Sequence, residues 1–343
     1  MKTIEIAGHT GHSQIFVGER LENLKAYVDQ KRTVIITDDN VAGFYQNDFP
    51  KADVICVGTG EKAKTLETVE KIYQHLIEME ADRSVFLLGI GGGIVCDMTG
   101  FAASTYLRGV QFGYVPTTLL AQVDASVGGK TGVNFKGYKN MVGVFSQPAF
   151  VMCDPCVLKT LPTQELVSGF AEIVKHAAIA DASYFACLEE NAASALLLDS
   201  AVLQRIIYDS VKIKAAIVNR DETEKGERRK LNFGHTFGHA VEKTHGIPHG
   251  QAVSIGMVAA SLLSLNRGLL TENEVDRLRR LLARFKLPLG IAMDKEKVLD
   301  ALVRDKKREG DGIHFVLLAG IGQAVVEKIS IDELKTVLKN LAL

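Results

Sequence analysis

The sequence predicts two domains: an α/β, doubly wound N-terminal domain over residues 1–155 and a mainly α-helical C-terminal domain over residues 156–343. Three observations predict this. Up to about residue 155, short β-rich apolar runs alternate with amphipathic helical stretches. Beyond it, long helical patterns dominate. A chain of 343 residues also exceeds what one hydrophobic core comfortably holds.

Residues 33–37 (TVIIT), 53–57 (DVICV) and 84–90 (SVFLLGI) are nearly unbroken apolar runs, the pattern of parallel strands buried on both faces. Between the second and third, residues 65–80 place Leu66, Val69, Ile72, Tyr73 and Leu76 on one helical face. A further strand, 111–115, ends at Pro116. Ligands of such a sheet bind at the carboxyl ends of its strands. In the second domain, helices are expected over residues 163–178, 182–197, 201–218, 235–244, 252–267, 272–285 and 295–304. Residues 314–319 and 324–328 are expected to pair as a hairpin across Gly320 and Gly322.

The composition is that of a globular protein, 47% hydrophobic and 24% charged. Forty Lys and Arg balance 41 Asp and Glu, a net charge of -1, which gives no electrostatic reason to expect nucleic acid or an anionic membrane as partner. An anionic ligand must be held by a local basic cluster. The first residues lack the basic-then-apolar pattern of a secretory signal, and the apolar stretch 252–265 is too short to span a bilayer. Five thinly spread cysteines argue against a disulfide framework and for a reducing, cytoplasmic location. Cys153 and Cys156 form a lone CxxC, expected to be buried thiols at a strand end.

Gly89, Gly91, Gly92 and Gly93 follow an apolar strand and precede a helical run. Glycine there lets backbone approach a phosphate, and the helix N-terminus offers oriented N–H groups. Ile94 breaks the GxGxxG spacing, so the pattern suits a pyrophosphate without the usual fingerprint. A turn requiring positive φ would explain one or two of these glycines, hardly four. Asp38 and Asp39 follow the first strand, where an acid can bind a ribose hydroxyl or simply cap a helix. Glu61 and Lys64 follow the second strand and suit either the same nucleotide or a solvated cap.

Residues 105–140 show little periodicity and read as a long functional loop. The loop carries Thr117, Thr118, Asp124, Lys130, Lys139 and Asn140, a set suited to an anionic, polyhydroxylated ligand. Its GGKT is not a P-loop, because Asp124 stands where the first glycine belongs.

Residues 228–251 hold four of the nine histidines: His235, His239, His245 and His249. His235 and His239 are four apart, a spacing that can bring two imidazoles to one metal ion, or two ordinary histidines to a helix surface. Glu172, Lys175 and His176 lie on an apolar helix, where a carboxylate needs a partner, and a metal is one candidate. HTFGH lacks the glutamate of HExxH, which excludes a zinc protease. An imidazole and carboxylate set with an open position suits catalytic zinc, with cobalt as substitute. The residues thus predict an NAD-type nucleotide domain joined to a helical metal domain, a combination suited to oxidising an alcohol.

The stretches YLRGVQFGYVPTTLLAQVDASVGGKTGVN, GYKNMVGVF, GFAEIVKH, LNFGHTFGHA and HGQAVSIGM resemble the 3-dehydroquinate synthase family in order and spacing, over roughly residues 33–307. The resemblance implies conversion of 3-deoxy-D-arabino-heptulosonate 7-phosphate to 3-dehydroquinate and phosphate. Bound NAD would oxidise a ring hydroxyl, phosphate would leave, the same cofactor would reduce the ketone, and an intramolecular aldol step would close the carbocycle. It implies Glu172, His235 and His249 as metal ligands, with His239 turned to the substrate. Asp124, Lys130, Asn140, Lys175, Lys214, Arg228, Asn232 and Lys306 would surround the substrate, and Arg108 would reach the neighbouring subunit's site in a homodimer. Asp39, Glu61, Lys64, Gly92, Gly93, Asp97, Thr117, Thr118, Lys130, Lys139 and Thr160 would line the NAD site.

Gln251 stands where many members carry Glu, a change expected to weaken support for His249, and Cys96 and Tyr138 also depart from the common pattern. Rival readings are another sugar phosphate cyclase, such as a 2-deoxy-scyllo-inosose or valiolone-type synthase, a metal-dependent alcohol or glycerol dehydrogenase, and a binding regulator without turnover. Retention of Lys214, Arg228, Asn232 and Lys306 together favours a carboxylated substrate.

Overall fold

In the computed structural model, which describes residues 1–292, 294–303, 308–309 and 312–340, the chain divides into two units. The first is Met1–Leu166 with Leu203–Thr223; the second is Val167–Val202 with Glu224–Leu343.

The first unit contains β1 (Lys2–Gly8), β2 (Gly11–Val17), β3 (Thr33–Thr37), α1 (Asp39–Tyr45), β4 (Asp53–Cys56), α2 (Leu66–Glu78), β5 (Phe86–Gly91), α3 (Gly93–Thr105), β6 (Gln111–Pro116), β7 (Lys130–Phe135), β8 (Tyr138–Phe145) and β9 (Phe150–Cys153). Seven strands form one sheet in the order β1-β2-β9-β6-β5-β3-β4, parallel throughout except for the β1–β2 hairpin. The four expected strands are β3 to β6, and all five residues of β3 are buried. Ile35, Leu88, Ile90, Val115 and Met152 build the core beside them. After β4 the chain crosses to the other side of β3, so the strand order reverses between β3 and β5. That switch point is where sheets of this type bind ligands. Thr37 Oγ1 donates to the Ile90 carbonyl at 2.7 Å and locks the two strand ends together.

Two expectations are corrected. The supposed loop 105–140 contains a short π-helical segment, Ala121–Ala125, all of β7 and the first part of β8. The hairpin escapes periodicity because β8 is exposed at nearly every position, on both faces. The N-terminal hairpin β1–β2, not read as strand from the sequence, pairs through β2 with β9. Cys153 is buried at the end of β9 as expected, but Cys156 is only half-buried, and neither is in a disulfide.

The helices that follow are α4 (Thr163–Ala180), α5 (Ala182–Leu196), α6 (Ser200–Arg220), α7 (His235–His245), α8 (His249–Asn266), α9 (Glu272–Arg284) and α10 (Lys295–Val303). After them come β10 (Arg308–Glu309), β11 (Gly312–Leu318), β12 (Ala324–Ser330) and α11 (Ile331–Asn340). The chain passes from one unit to the other within α4, within α6 and again after Thr223. In the second unit, Phe237 and Val241 of α7, Ile255 and Leu263 of α8, Leu302 of α10, and Phe315 and Ile329 of the β11–β12 hairpin share one core. No helix among the described residues is long and apolar enough to cross a membrane.

Glu222, just after α6, ties the first unit's N-terminal hairpin in place. Its carboxylate accepts from His9 N at 2.7 Å, Thr10 N at 3.3 Å, Thr10 Oγ1 at 2.5 Å and Gln147 Nε2 at 2.9 Å. A Cβ on Gly8 would lie 2.2 Å from Glu222 Oε1, so only glycine admits the carboxylate there. Burial alone would raise the Glu222 pKa, but the hydrogen bonds from Gln147, Thr10 and His9 outweigh it and hold it below 4.5. Its contribution is therefore complete above the ordinary carboxylate pKa and lost as pH falls through the lower, folded value. Glu222→Gln is expected to cost about 1–3 kcal/mol of unfolding free energy at pH 7. In urea titrations the gap between the two proteins should close at acid pH; a gap of the same size at pH 3 would contradict the assignment.

Candidate active site and metal centre

In the second unit three helices each bring one donor to a common point. Glu172 lies on α4, fully buried, His235 opens α7, and His249 opens α8. Donor atoms of these three residues all lie within 4.8 Å of one another. His235 Nε2 is 3.5 Å and His249 Nε2 3.3 Å from Glu172 Oε1. The other nitrogen of each ring is engaged from behind. His235 Nδ1 lies 3.1 Å from the Phe233 carbonyl, and His249 Nδ1 lies 3.1 Å from Glu242 Oε2. Both rings therefore present Nε2 to the same place, as metal-binding imidazoles do.

Close helix contact makes this meeting possible. A Cβ on Gly250, next to His249, would lie 2.3 Å from the Ser168 Cα, one turn before Glu172 on α4. A Cβ on Gly256 would lie 1.8 Å from the Gly234 carbonyl, which precedes His235. Backbone thus packs on backbone at both joints, and side chains there would push the donors apart.

The electrostatics are those of a cation site. Glu172 is paired with Lys175 one turn along α4, and both side chains are almost completely buried. Burial, reinforced by the Lys175 charge, holds His235 well below its ordinary pKa, leaving a neutral donor. Burial would also lower His249, but hydrogen bonds to Glu172 and Glu242 carry it up to about 9. One carboxylate and two Nε2 atoms match the three-ligand sets of catalytic divalent metals. His239, which helical spacing nominates beside His235, is exposed, with its ring centroid 5.3 Å from that of His235. It falls instead in a second possible donor group with Glu242 and His249.

Arg228 is buried, and Asn232 donates to Glu224, a carboxylate that sequence reading passed over. Glu224 has φ of 63°, an uncommon backbone for a non-glycine residue that often marks functional positions. Such a conformation leaves no trace in residue spacing. Lys306 lies outside the described residues.

The first unit gathers a second network. Lys64, 5% exposed, donates to Asp97 Oδ2 and to Asn140 Oδ1, both at 2.5 Å. Asn140 N donates to Asn134 Oδ1 at 2.9 Å, and Asn134 Nδ2 donates to Glu61 at 2.7 Å. Burial raises the Asp97 pKa against the pull of Lys64. Lys214 of α6 donates to the Asp124 carbonyl at 2.5 Å and to its carboxylate at 2.6 Å. Asn134 joins Glu61 to Asn140 and was not singled out in the sequence.

At the switch point, Gly92 caps α3 and Gly93 begins it. None of the four glycines has positive φ; they are needed for space instead. A Cβ on Gly92 would lie 3.1 Å from Thr118, and one on Gly93 3.0 Å from Ala125. Thr117 N donates to the Gly91 carbonyl at 2.9 Å, and Thr118 Oγ1 accepts from Ala121 N at 3.1 Å. Asp38 is the α1 cap, accepting from Asn40 N and Val41 N, which leaves exposed Asp39 as the ribose candidate. Thr160 pairs its hydroxyl with Tyr45 at 2.8 Å, while Lys130 and Lys139 are exposed on β7 and β8. Arg108 is exposed, with φ of 68°.

Residues 54–168 match the family described as 3-dehydroquinate synthase N-terminal, and residues 169–308 match 3-dehydroquinate synthase C-terminal. The chain belongs to the 3-dehydroquinate synthase family. It is 46% identical over 319 residues to the 3-dehydroquinate synthase of Sulfurovum sp. (strain NBC37-1), covering 90% of each chain. Among solved structures it resembles 2-epi-5-epi-valiolone synthase from Streptomyces hygroscopicus subsp. jinggangensis 5008 with NAD+ and Zn2+ bound. That match has a TM-score of 0.89 at 30% identity and covers 98% of both chains. It also resembles a 2-deoxy-scyllo-inosose synthase complexed with carbaglucose-6-phosphate, NAD+ and Co2+, with a TM-score of 0.86 at 27% identity, over 99% of this chain and 100% of that one.

The helix joints give a direct test within this family framework. Gly250→Ala is expected to cost about 1–3 kcal/mol by overpacking and to weaken zinc binding by separating His249 from Glu172. Gly43→Ala, where an added Cβ meets nothing within 4 Å, should leave zinc binding unchanged. Zinc titration of Gly250→Ala with wild-type affinity would contradict the packing argument.

Proposed function

We propose that the chain is a 3-dehydroquinate synthase, converting 3-deoxy-D-arabino-heptulosonate 7-phosphate to 3-dehydroquinate and phosphate. The observation that carries this reading is the buried Glu172, His235 and His249 donor set in a chain of this family. Zinc or cobalt held there would polarise a substrate hydroxyl, and NAD would supply a reversible hydride acceptor.

The chain's own residues divide the remaining work. Gly92, Gly93, Thr117 and Thr118 would receive the NAD pyrophosphate at the α3 N-terminus, with Asp39 toward a ribose and Glu61, Lys64, Asp97, Lys139 and Thr160 around the nucleotide. Lys130 would serve nucleotide and substrate alike. Asp124, Asn140, Lys175, Lys214, Arg228, Asn232 and Lys306 would hold the substrate's hydroxyl, carboxylate and phosphate groups. His239, exposed and outside the Glu172 donor group, would face the substrate rather than the metal. Two lysines of this set already meet carboxylates, Lys214 with Asp124 and Lys175 with Glu172, so their side chains are ordered before an anion arrives. We assign the boundary between nucleotide and metal domains to about residue 155.

We further propose a cytoplasmic homodimer without nucleic-acid or membrane partners. Phe135, Tyr138, Met141, Val144 and Phe145 are all exposed on the β7–β8 hairpin, as is Leu107 beside Arg108. These faces suit a second copy, and Arg108 would enter the partner's site.

Phosphate release from the heptulosonate phosphate should require both NAD and metal, without accumulation of NADH. Glu172→Gln should lower it by roughly 100-fold or more, the loss of several kcal/mol of Lewis-acid stabilisation. NADH accumulating with each turnover, or phosphate release indifferent to a chelator, would refute the reading. Inactive Arg108→Ala and inactive His235→Ala proteins, mixed and allowed to exchange subunits, should recover measurable activity. Failure to recover any, with mixed dimers shown to form, would refute the shared site.

A further inference from the structure

We propose that Glu242 is a positioning residue that fixes the His249 imidazole with Nε2 toward Glu172. The inference rests on the metal reading above and extends it to a residue outside the donor set. Glu242 lies on the last two turns of α7, seven residues before His249, and its Oε2 is 3.1 Å from His249 Nδ1. An ionised carboxylate can only accept, so the ring nitrogen facing it carries the hydrogen. Nε2, 3.3 Å from Glu172 Oε1, is then the nitrogen left to bind a cation, giving up any proton it carries.

The two histidines need this support unequally. His235 is buried and anchored by a backbone carbonyl, that of Phe233. The His249 side chain is 33% exposed at the first residue of α8, where its ring has more room to turn. Its anchor is a side chain, itself only 14% exposed, so the carboxylate is sheltered enough for a directed hydrogen bond to matter. Glu242 thus supplies the support whose loss the glutamine at position 251 would suggest.

The test is metal binding to apoprotein, using zinc against a chromophoric chelator and cobalt for its visible spectrum. Wild type, Glu172→Gln, Glu242→Gln and Glu242→Ala are compared, with thermal unfolding of each apoprotein as a control for folding. Glu242→Ala is expected to weaken zinc binding about 10–100-fold and to shift the cobalt bands. Glu242→Gln, which keeps an acceptor at the same reach, should fall between Glu242→Ala and wild type. Glu172→Gln should lose the site. Wild-type affinity and an unchanged cobalt spectrum in Glu242→Ala, with binding lost in Glu172→Gln, would overturn the role of Glu242 while sparing the metal reading. Binding retained in Glu172→Gln but lost in Glu242→Ala would make Glu242 a ligand with His239 and His249, and would overturn both.

Discussion

A carboxylate with no exposure to solvent dominates the second unit. Glu172 sits inside α4, and an ionised group removed from water costs several kcal/mol unless opposing charge and hydrogen bonds offset it. Lys175 offsets part of that cost from the next turn of the same helix. The two imidazoles, each turned with Nε2 inward, lie 3.5 and 3.3 Å from Glu172 Oε1. Helix order follows from this constraint. α7 and α8 must start at the same depth beside α4, and the bare backbone at Gly250 and Gly256 lets them.

The first unit meets a different requirement with comparable means. Its sheet reverses order between β3 and β5, and the freed strand ends carry a glycine turn on one side and two aspartates on the other. Around them Lys64 and Lys214 are each set against a carboxylate, Asp97 and Asp124 respectively. A buried lysine so held is fixed in place by its carboxylate partner. The same pairing recurs at Glu172 and Lys175.

What could be read from the sequence follows what burial does to residue order. β3 and β5 are buried on both faces and therefore appear as apolar runs, and long helices announce themselves by their periodicity. β8 is exposed almost throughout, so its sequence carries no alternation to detect. The metal donors were legible in a different sense. Spacing within one helix selects His235 and His239, because it registers only neighbours on that helix. Glu172 is 63 residues from His235, and only the resemblance to the family joined it to the histidines. Glu242 went unnoticed because a carboxylate on a helix surface looks like any other until the partner's ring is seen. The glycines among residues 89–93 mark the turn out of β5, and the structure uses them for clearance rather than for positive φ.

One cation is expected to join three helices through Glu172, His235 and His249. Anomalous diffraction from crystals grown with zinc, recorded on both sides of its absorption edge, tests this directly. A single strong peak per chain is expected, about 2.0–2.2 Å from His235 Nε2, His249 Nε2 and a Glu172 carboxylate oxygen. A peak coordinated instead by His239, Glu242 and His249, or no peak on the protein at saturating zinc, would contradict it.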